Sequence, residues 1–197
     1  MTEQYDHQFR AQNDLLIRVR RMRADDAPYL VALFEHLSAE SRYRRFNIPL
    51  KDPDPDWVAR QAAQMADLPP EEGRAWLAFS DLHGGTNTPV AGIRYVRLSE
   101  DRAEVALVVR DDLQGKGIGT ELIRFAGIQA FSSGIRVLAG LVQSTNQALW
   151  HSLQNLGVPI HTRTAGSHTE LEVDLRQALI ARWKEVADDQ APPSTKE

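Results

Sequence analysis

Two features of this chain have the residue types and spacing to do chemistry. The first is Asp111-Asp112-Leu113-Gln114-Gly115-Lys116-Gly117-Ile118-Gly119-Thr120, in which glycines alternate with larger residues. It follows the apolar run Val105-Ala106-Leu107-Val108-Val109 and precedes a stretch of helical period. Backbone N–H groups converge at such a strand-to-helix junction, on the positive end of the helix. With no side chains at 115, 117 and 119, an anion can approach them closely. The predicted chemistry is the holding of a phosphate or pyrophosphate, with Lys116 adding one charge at the rim. The second feature is Glu104, a carboxylate inside an otherwise apolar strand. Alternation puts it on one face with Ala106 and Val108. Its plain reading is a solvated edge carboxylate; its functional reading is a proton-accepting base.

Two better-known glycine loops do not fit. A nucleoside triphosphate loop needs Gly-x-x-x-x-Gly-Lys and then Ser or Thr, but here Gly117 follows Lys116. A dinucleotide fingerprint needs Gly-x-Gly-x-x-Gly, and Thr120 stands where its third glycine should be. That fingerprint also follows the first strand of a parallel sheet, whereas this loop follows an antiparallel run.

The elements that must position these residues can be read from period and turn formers. Leu15 to Arg20 reads as a strand, and Asp25-Asp26 then cap a helix carrying Leu30, Leu33, Phe34 and Leu37. A Pro-rich bend at 51–56 leads to a second helix from Trp57 to about Ala66. Arg74 to Leu82, Pro89 to Leu98 and Ala103 to Val109 make a three-stranded antiparallel meander. After the glycine loop, Ile118, Leu122, Phe125 and Ala126 mark a helix that crosses over to a parallel strand, Ile135 to Val142. Asn146 to Leu156 is a helix stopped by Gly157. Pro159 to Thr164 and Thr169 to Val173 form a closing hairpin, with a last helix near Leu175 to Val186. The organisation expected is a loose N-terminus (1–13), one domain (14–187) and a disordered tail (188–197).

Composition bounds the function. The chain has 197 residues, 42% of them hydrophobic and 25% charged, with a formal net charge of −4. Mild acidity argues against nucleic acid as a partner. Absence of cysteine excludes disulfides and thiolate chemistry, and six scattered histidines without ligand spacing argue against a metal. No run approaches the roughly 20 apolar residues of a membrane span. A cytoplasmic setting is the default expectation.

Gln114-Gly115-Lys116-Gly117-Ile118-Gly119 resembles the Gln/Arg-x-x-Gly-x-Gly/Ala signature of the GNAT superfamily of acyl-CoA-dependent N-acyltransferases. Leu37-Ser38-Ala39-Glu40-Ser41-Arg42-Tyr43-Arg44-Arg45-Phe46 is similar to a segment of bacterial Pat-type protein lysine acetyltransferases. So is the run from Ala103 to Gly115. The resemblance implies an α/β fold (a mixed α+β sheet) with a central sheet of six to seven strands flanked by helices. It implies acetyl transfer from acetyl-CoA to a primary amine, a protein lysine favoured, by direct attack on the thioester. A small-molecule or antibiotic amine is the alternative acceptor, and a non-catalytic acyl-CoA sensor the alternative class. Residue by residue, the resemblance implies pyrophosphate binding by Gln114, Gly115, Lys116, Gly117, Ile118, Gly119 and Thr120. It implies pantetheine contacts from Leu107, Val108, Val109 and Asn146, and catalysis by Glu104. Arg42, Tyr43 and Arg45 stand on the acceptor side, with a packed hinge as their structural reading. Leu153 occupies the place where many relatives have a thiolate-protonating tyrosine, so that acid is missing. A homodimer is compatible with all of this, and no metal is implied.

Overall fold

The computed structural model describes residues 4–82 and 84–179. One sheet holds β1 (His7–Arg10), β2 (Leu16–Arg21), β3 (Gly73–Leu82), β4 (Gly85–Arg97), β5 (Arg102–Val109), β6 (Val137–Gln143), β7 (His161–Ala165) and β8 (His168–Asp174). Their order is β1-β2-β3-β4-β5-β6-β8-β7. Every pairing is antiparallel except β5 with β6. The helices are α1 (Ala27–Glu35), α2 (Ala39–Phe46), α3 (Pro55–Ala66), α4 (Ile118–Ser132) and α5 (Gln147–Gln154). Another helix opens at 175–179; the rest of that expected helix, and the tail, lie outside the described residues. None of the described helices is long and apolar enough to cross a membrane.

The meander, the crossover through α4 and the closing hairpin follow the sequence pattern. The sheet has eight strands rather than six or seven. The added one, β1, falls in the first 13 residues, which read as loose. Only two of its residues point inward, too short a period to stand out among polar neighbours. β1 pairs with β2 along its length, and His7 stacks on Phe9 and Phe125 with ring centroids 5.6 and 5.2 Å apart. β4 begins earlier than expected because a bulge absorbs Pro89: Ala78 faces Ala91 and Phe79 faces Pro89, leaving Val90 as the extra residue.

The two faces of the sheet are covered differently. Ile118, Leu122, Phe125, Ala126 and Ala130 of α4 join a buried core with Ile93, Tyr95 and Ala103. On the opposite face lie α1, α2 and α3. The helix α2 was not expected as a helix. Ser38 caps it by accepting from the Ser41 N–H at 3.2 Å, Glu40 pairs with Arg44 one turn on, and Asn47 ends it in the left-handed region at φ 55°.

The expected cap at Asp26 takes another form. Its carboxylate is buried and makes no cap bond to α1. It accepts two hydrogen bonds from Arg20, at 2.6 and 2.8 Å, and one from the Arg23 N–H at 2.7 Å. Arg20 also lies over the Phe79 ring, 4.8 Å from its centroid. This pair fixes the start of α1 against β2, and removing one partner leaves an uncompensated buried charge. Asp26→Asn should cost about 3 to 5 kcal/mol in denaturant unfolding. A loss below about 1 kcal/mol would mean the pair does not anchor the helix.

Candidate active site

The ladder between β5 and β6 is short. Arg102 faces Val137, Ala103 faces Leu138 and Glu104 faces Ala139; beyond that the strands part. On the other side β5 stays paired with β4 all the way to Val109, and β6 with β8 to Gln143. The parted edges therefore border a cleft of about 320 Å³, closed at its far end by the glycine loop and α5. Glu104 stands at the fork with its side chain exposed. Leu107, Val108 and Val109 line the β5 wall, and Asn146 lies at the start of α5.

The glycine loop is built from the backbone upward. Gly115 and Gly117 have φ of +74° and +82°, a conformation that side chains rarely adopt. A Cβ at either would meet nothing within 4 Å, so both face open space. Gly117 is the N-cap residue of α4 without any side-chain cap, leaving the first N–H groups of the helix unclaimed by a side chain. Gly119 serves another purpose. A Cβ there would come within 3.2 Å of Leu107, so its absence lets the helix start press against the end of β5. These features fit an anionic pyrophosphate and an extended arm, the parts of coenzyme A that the resemblance assigns to this place.

Lys116 does not stand at the rim as expected. Its ammonium donates to the Asp112 carbonyl at 2.9 Å, folding the side chain back onto its own loop. Charge at the nest comes from backbone dipoles instead. The Gln114 amide donates to the Asp111 carboxylate at 3.0 Å and to the Val109 carbonyl at 3.3 Å. Asp111 in turn accepts from the Ser38 N–H at 2.9 Å. Burial pushes the Asp111 carboxyl up, but hydrogen bonds from Ser38 and Ser41 outweigh it and hold the group below its ordinary value. The loop is thus tied to the start of α2.

Asn146 caps α5, accepting from the Leu149 N–H at 3.2 Å, while it also borders the cleft. Leu153 is buried with Val142, Leu156 and Leu171. No group of three or more metal-ligating side chains occurs among the described residues.

The arginine segment divides. Arg42 donates to the carbonyls of Lys51 (3.2 Å) and Phe34 (3.3 Å) and lies over the Phe34 ring at 4.2 Å. It ties the end of α1 to α2, a hinge contact. Tyr43 is exposed and borders neither cavity. Arg45 reaches inward and borders both the cleft and a second cavity beside it. Sequence reasoning missed Arg94, which joins Arg45 at that second cavity. Its signal was of the same kind as that of Glu104: one charged residue in the apolar run Val90-Ala91-Gly92-Ile93-Arg94-Tyr95-Val96.

A mixed sheet that forks beside a glycine-rich helix start defines the class of N-acyltransferases that draw on acyl-coenzyme A. Residues 30–158 match the Acetyltransferase (GNAT) family. The chain belongs to that family and is an acetyl-CoA-dependent N-acetyltransferase. No curated protein sequence matches it. Among solved structures it is similar to the GNAT domain of Streptomyces lividans PAT, with 25% identity and a TM-score of 0.72. That match covers 85% of this chain and 96% of the other. It is similar in fold to a cAMP-binding acyltransferase from Mycobacterium smegmatis (21% identity, TM-score 0.57), covering 93% of this chain but 51% of that one. Spermidine N-acetyltransferase from Vibrio cholerae, solved with CoA and spermine, shares the fold at 13% identity and a TM-score of 0.63, over 83% of this chain and 98% of that one.

The open space at Gly117 generates a prediction. Gly117→Val places a branched side chain at φ +82° into that space, so calorimetry should show acetyl-CoA binding weakened at least about tenfold in a protein that still unfolds cooperatively. Unchanged affinity in the folded variant would remove the loop from the binding site.

Proposed function

We propose that this enzyme transfers the acetyl group of acetyl-CoA to a primary amine presented at Glu104, by direct attack on the thioester. The observation that carries the proposal is the position of Glu104, the last paired residue before β5 and β6 part. A carboxylate there lines the cleft that receives the donor, which meets a second cavity at Arg45, Ala106 and Val108. In this reading the backbone from Gln114 to Thr120 holds the pyrophosphate, with Lys116 acting through its N–H rather than its ammonium. The main chain of Leu107, Val108 and Val109 pairs with the pantetheine arm as an added strand. One of those N–H groups faces the thioester carbonyl and stabilises the charge that develops on its oxygen. Asn146 contacts the arm while capping α5.

A lysine-like amine is protonated at neutral pH, its reference pKa being about 10.4, so it must lose a proton before it can attack. Glu104 accepts that proton, directly or through water. The new C–N bond forms as the C–S bond breaks, and the departing thiolate takes a proton from water, because Leu153 offers none. A protein lysine is the acceptor supported by the likeness to the Streptomyces lividans PAT domain. A small molecule that carries a primary amine is the second reading, supported by a cavity of about 250 Å³ that meets the cleft at Arg45, Ala106 and Val108.

Glu104→Gln keeps the shape of the side chain and removes the base. Turnover at neutral pH should fall roughly 100- to 10,000-fold with acetyl-CoA affinity near normal. The defect should narrow as the pH rises toward about 10, where the acceptor is already neutral. Wild-type turnover by the variant at neutral pH would contradict the assignment.

A further inference from the structure

The second cavity holds charge that acetyl transfer at Glu104 leaves unexplained. It lies between α1, α2, α3 and the facing sides of β4 and β5, with a volume of about 250 Å³. Leu33, Phe34, Phe46, Trp57, Val58 and Met65 give it apolar walls. Arg45 from α2 and Arg94 from β4 interrupt them. Arg94 faces Ala106 across the ladder and Val96 faces Glu104, so Arg94 and Glu104 are diagonal neighbours on one side of the sheet. Arg45, Ala106 and Val108 border both this cavity and the donor cleft, so the two spaces meet there.

Arg94 is short of a partner. The Nε of Arg94 is buried without a hydrogen-bond partner among the described residues. Burial first, and the like charge of Arg94 second, push Arg45 down to about 10, while Glu104 acts in the opposite direction. Burial also lowers Arg94, again with Glu104 opposing. One carboxylate acts on two guanidiniums without an ion pair to either, and a net positive charge faces an apolar space. A partly buried guanidinium is stabilised by an anion that meets its fork of N–H donors, and a carboxylate matches that fork. A plain ammonium would be repelled.

We propose that this cavity is an acceptor subsite for an amine that also carries a carboxylate and an apolar side chain, the chemistry of an apolar α-amino acid. The carboxylate meets Arg45 and Arg94, the amine turns to Glu104, and the side chain enters the cavity. The inference rests on acetyl transfer at Glu104 and names one acceptor class for it. Ligand pockets start at roughly 300 Å³ for drug-sized molecules, so a slightly smaller cavity suits one amino-acid side chain. The atoms balance simply. The amino nitrogen bonds to the acetyl carbon as the C–S bond breaks, its proton leaves by way of Glu104, and coenzyme A departs as the thiol after taking a proton from water.

The test compares leucine with isopentylamine, and phenylalanine with phenethylamine, as acceptors for the full-length enzyme and acetyl-CoA. Each amino acid should surpass its matching amine in kcat/KM by roughly tenfold or more, the scale of a charged hydrogen bond. Arg94→Gln and Arg45→Gln should each raise the amino-acid KM about tenfold, with a much smaller effect on the matching amine and on acetyl-CoA binding; Arg94→Lys should recover part of the loss. Should the variants not fold, isocaproate, which has the carboxylate and side chain without the amine, should inhibit the wild-type enzyme competitively against the acceptor. Acetylation of plain amines or lysine peptides, with no use of amino acids and no inhibition by isocaproate, would overturn the subsite and leave acetyl transfer standing. Equal losses for amino acid and amine in the variants would overturn the role of the arginines. If no amine of any kind is acetylated, the reading of Glu104 fails and the subsite with it.

Discussion

A β-sheet is stable when its main-chain donors and acceptors are paired, and this sheet breaks that rule between two of its inner strands, β5 and β6. After Glu104 and Ala139, β5 and β6 keep their outer partners but lose each other. Unpaired main-chain groups in a protein must find water or a ligand, because leaving them dry costs as much as a lost hydrogen bond. The fork is held open from both ends. Gly119 lets the start of α4 press on Leu107 and Val109, and α5 with the turn after it packs below through Leu149, Leu153 and Leu156. A strand edge that cannot close on its neighbour is a template for an extended ligand. The position of Glu104, the orientation of the glycine loop and the course of α5 all follow from that opening.

The donor and acceptor sides are mechanically joined. Asp111 binds the start of α2 through the Ser38 N–H, and Gln114 spans from the loop to β5 through the Val109 carbonyl. Arg42 ties α2 back to α1 and to the bend at Lys51. The same short helix therefore sets the loop on one side and carries Arg45 into the second cavity on the other. A change in α2 would be felt by both substrates.

Much of this was legible in the sequence for physical reasons. The glycine loop stood out because glycine takes left-handed φ most readily, as at 115 and 117, and Glu104 because a carboxylate interrupts an apolar strand. The parallel step from β5 to β6 was legible because no hairpin could join them. Other parts were hidden by their chemistry. The helix α2 is mostly polar and arginine-rich, so its period carried no apolar stripe; it holds by a serine cap, an ion pair and an asparagine end. β1 showed only His7 and Phe9 as inward residues. Asp26 looked like a helix cap, since the sequence does not show that Arg20, six residues before it on β2, turns inward to claim its carboxylate. Lys116 looked like a phosphate ligand because sequence gives its charge and not its rotamer. Arg94 went unread although its setting matched that of Glu104, since pairing across two strands gives it meaning.

The central claim is that the forked edge of β5 and the glycine loop together receive the donor. Hydrogen–deuterium exchange of the full-length protein, with and without saturating acetyl-CoA, tests it directly at the level of single amides. The account predicts slower exchange in Val105–Val109 and Gly115–Thr120 on binding, with the β7–β8 hairpin unchanged. Protection centred on that hairpin or on the outer strands β1 and β2, with no change at the fork, would contradict it.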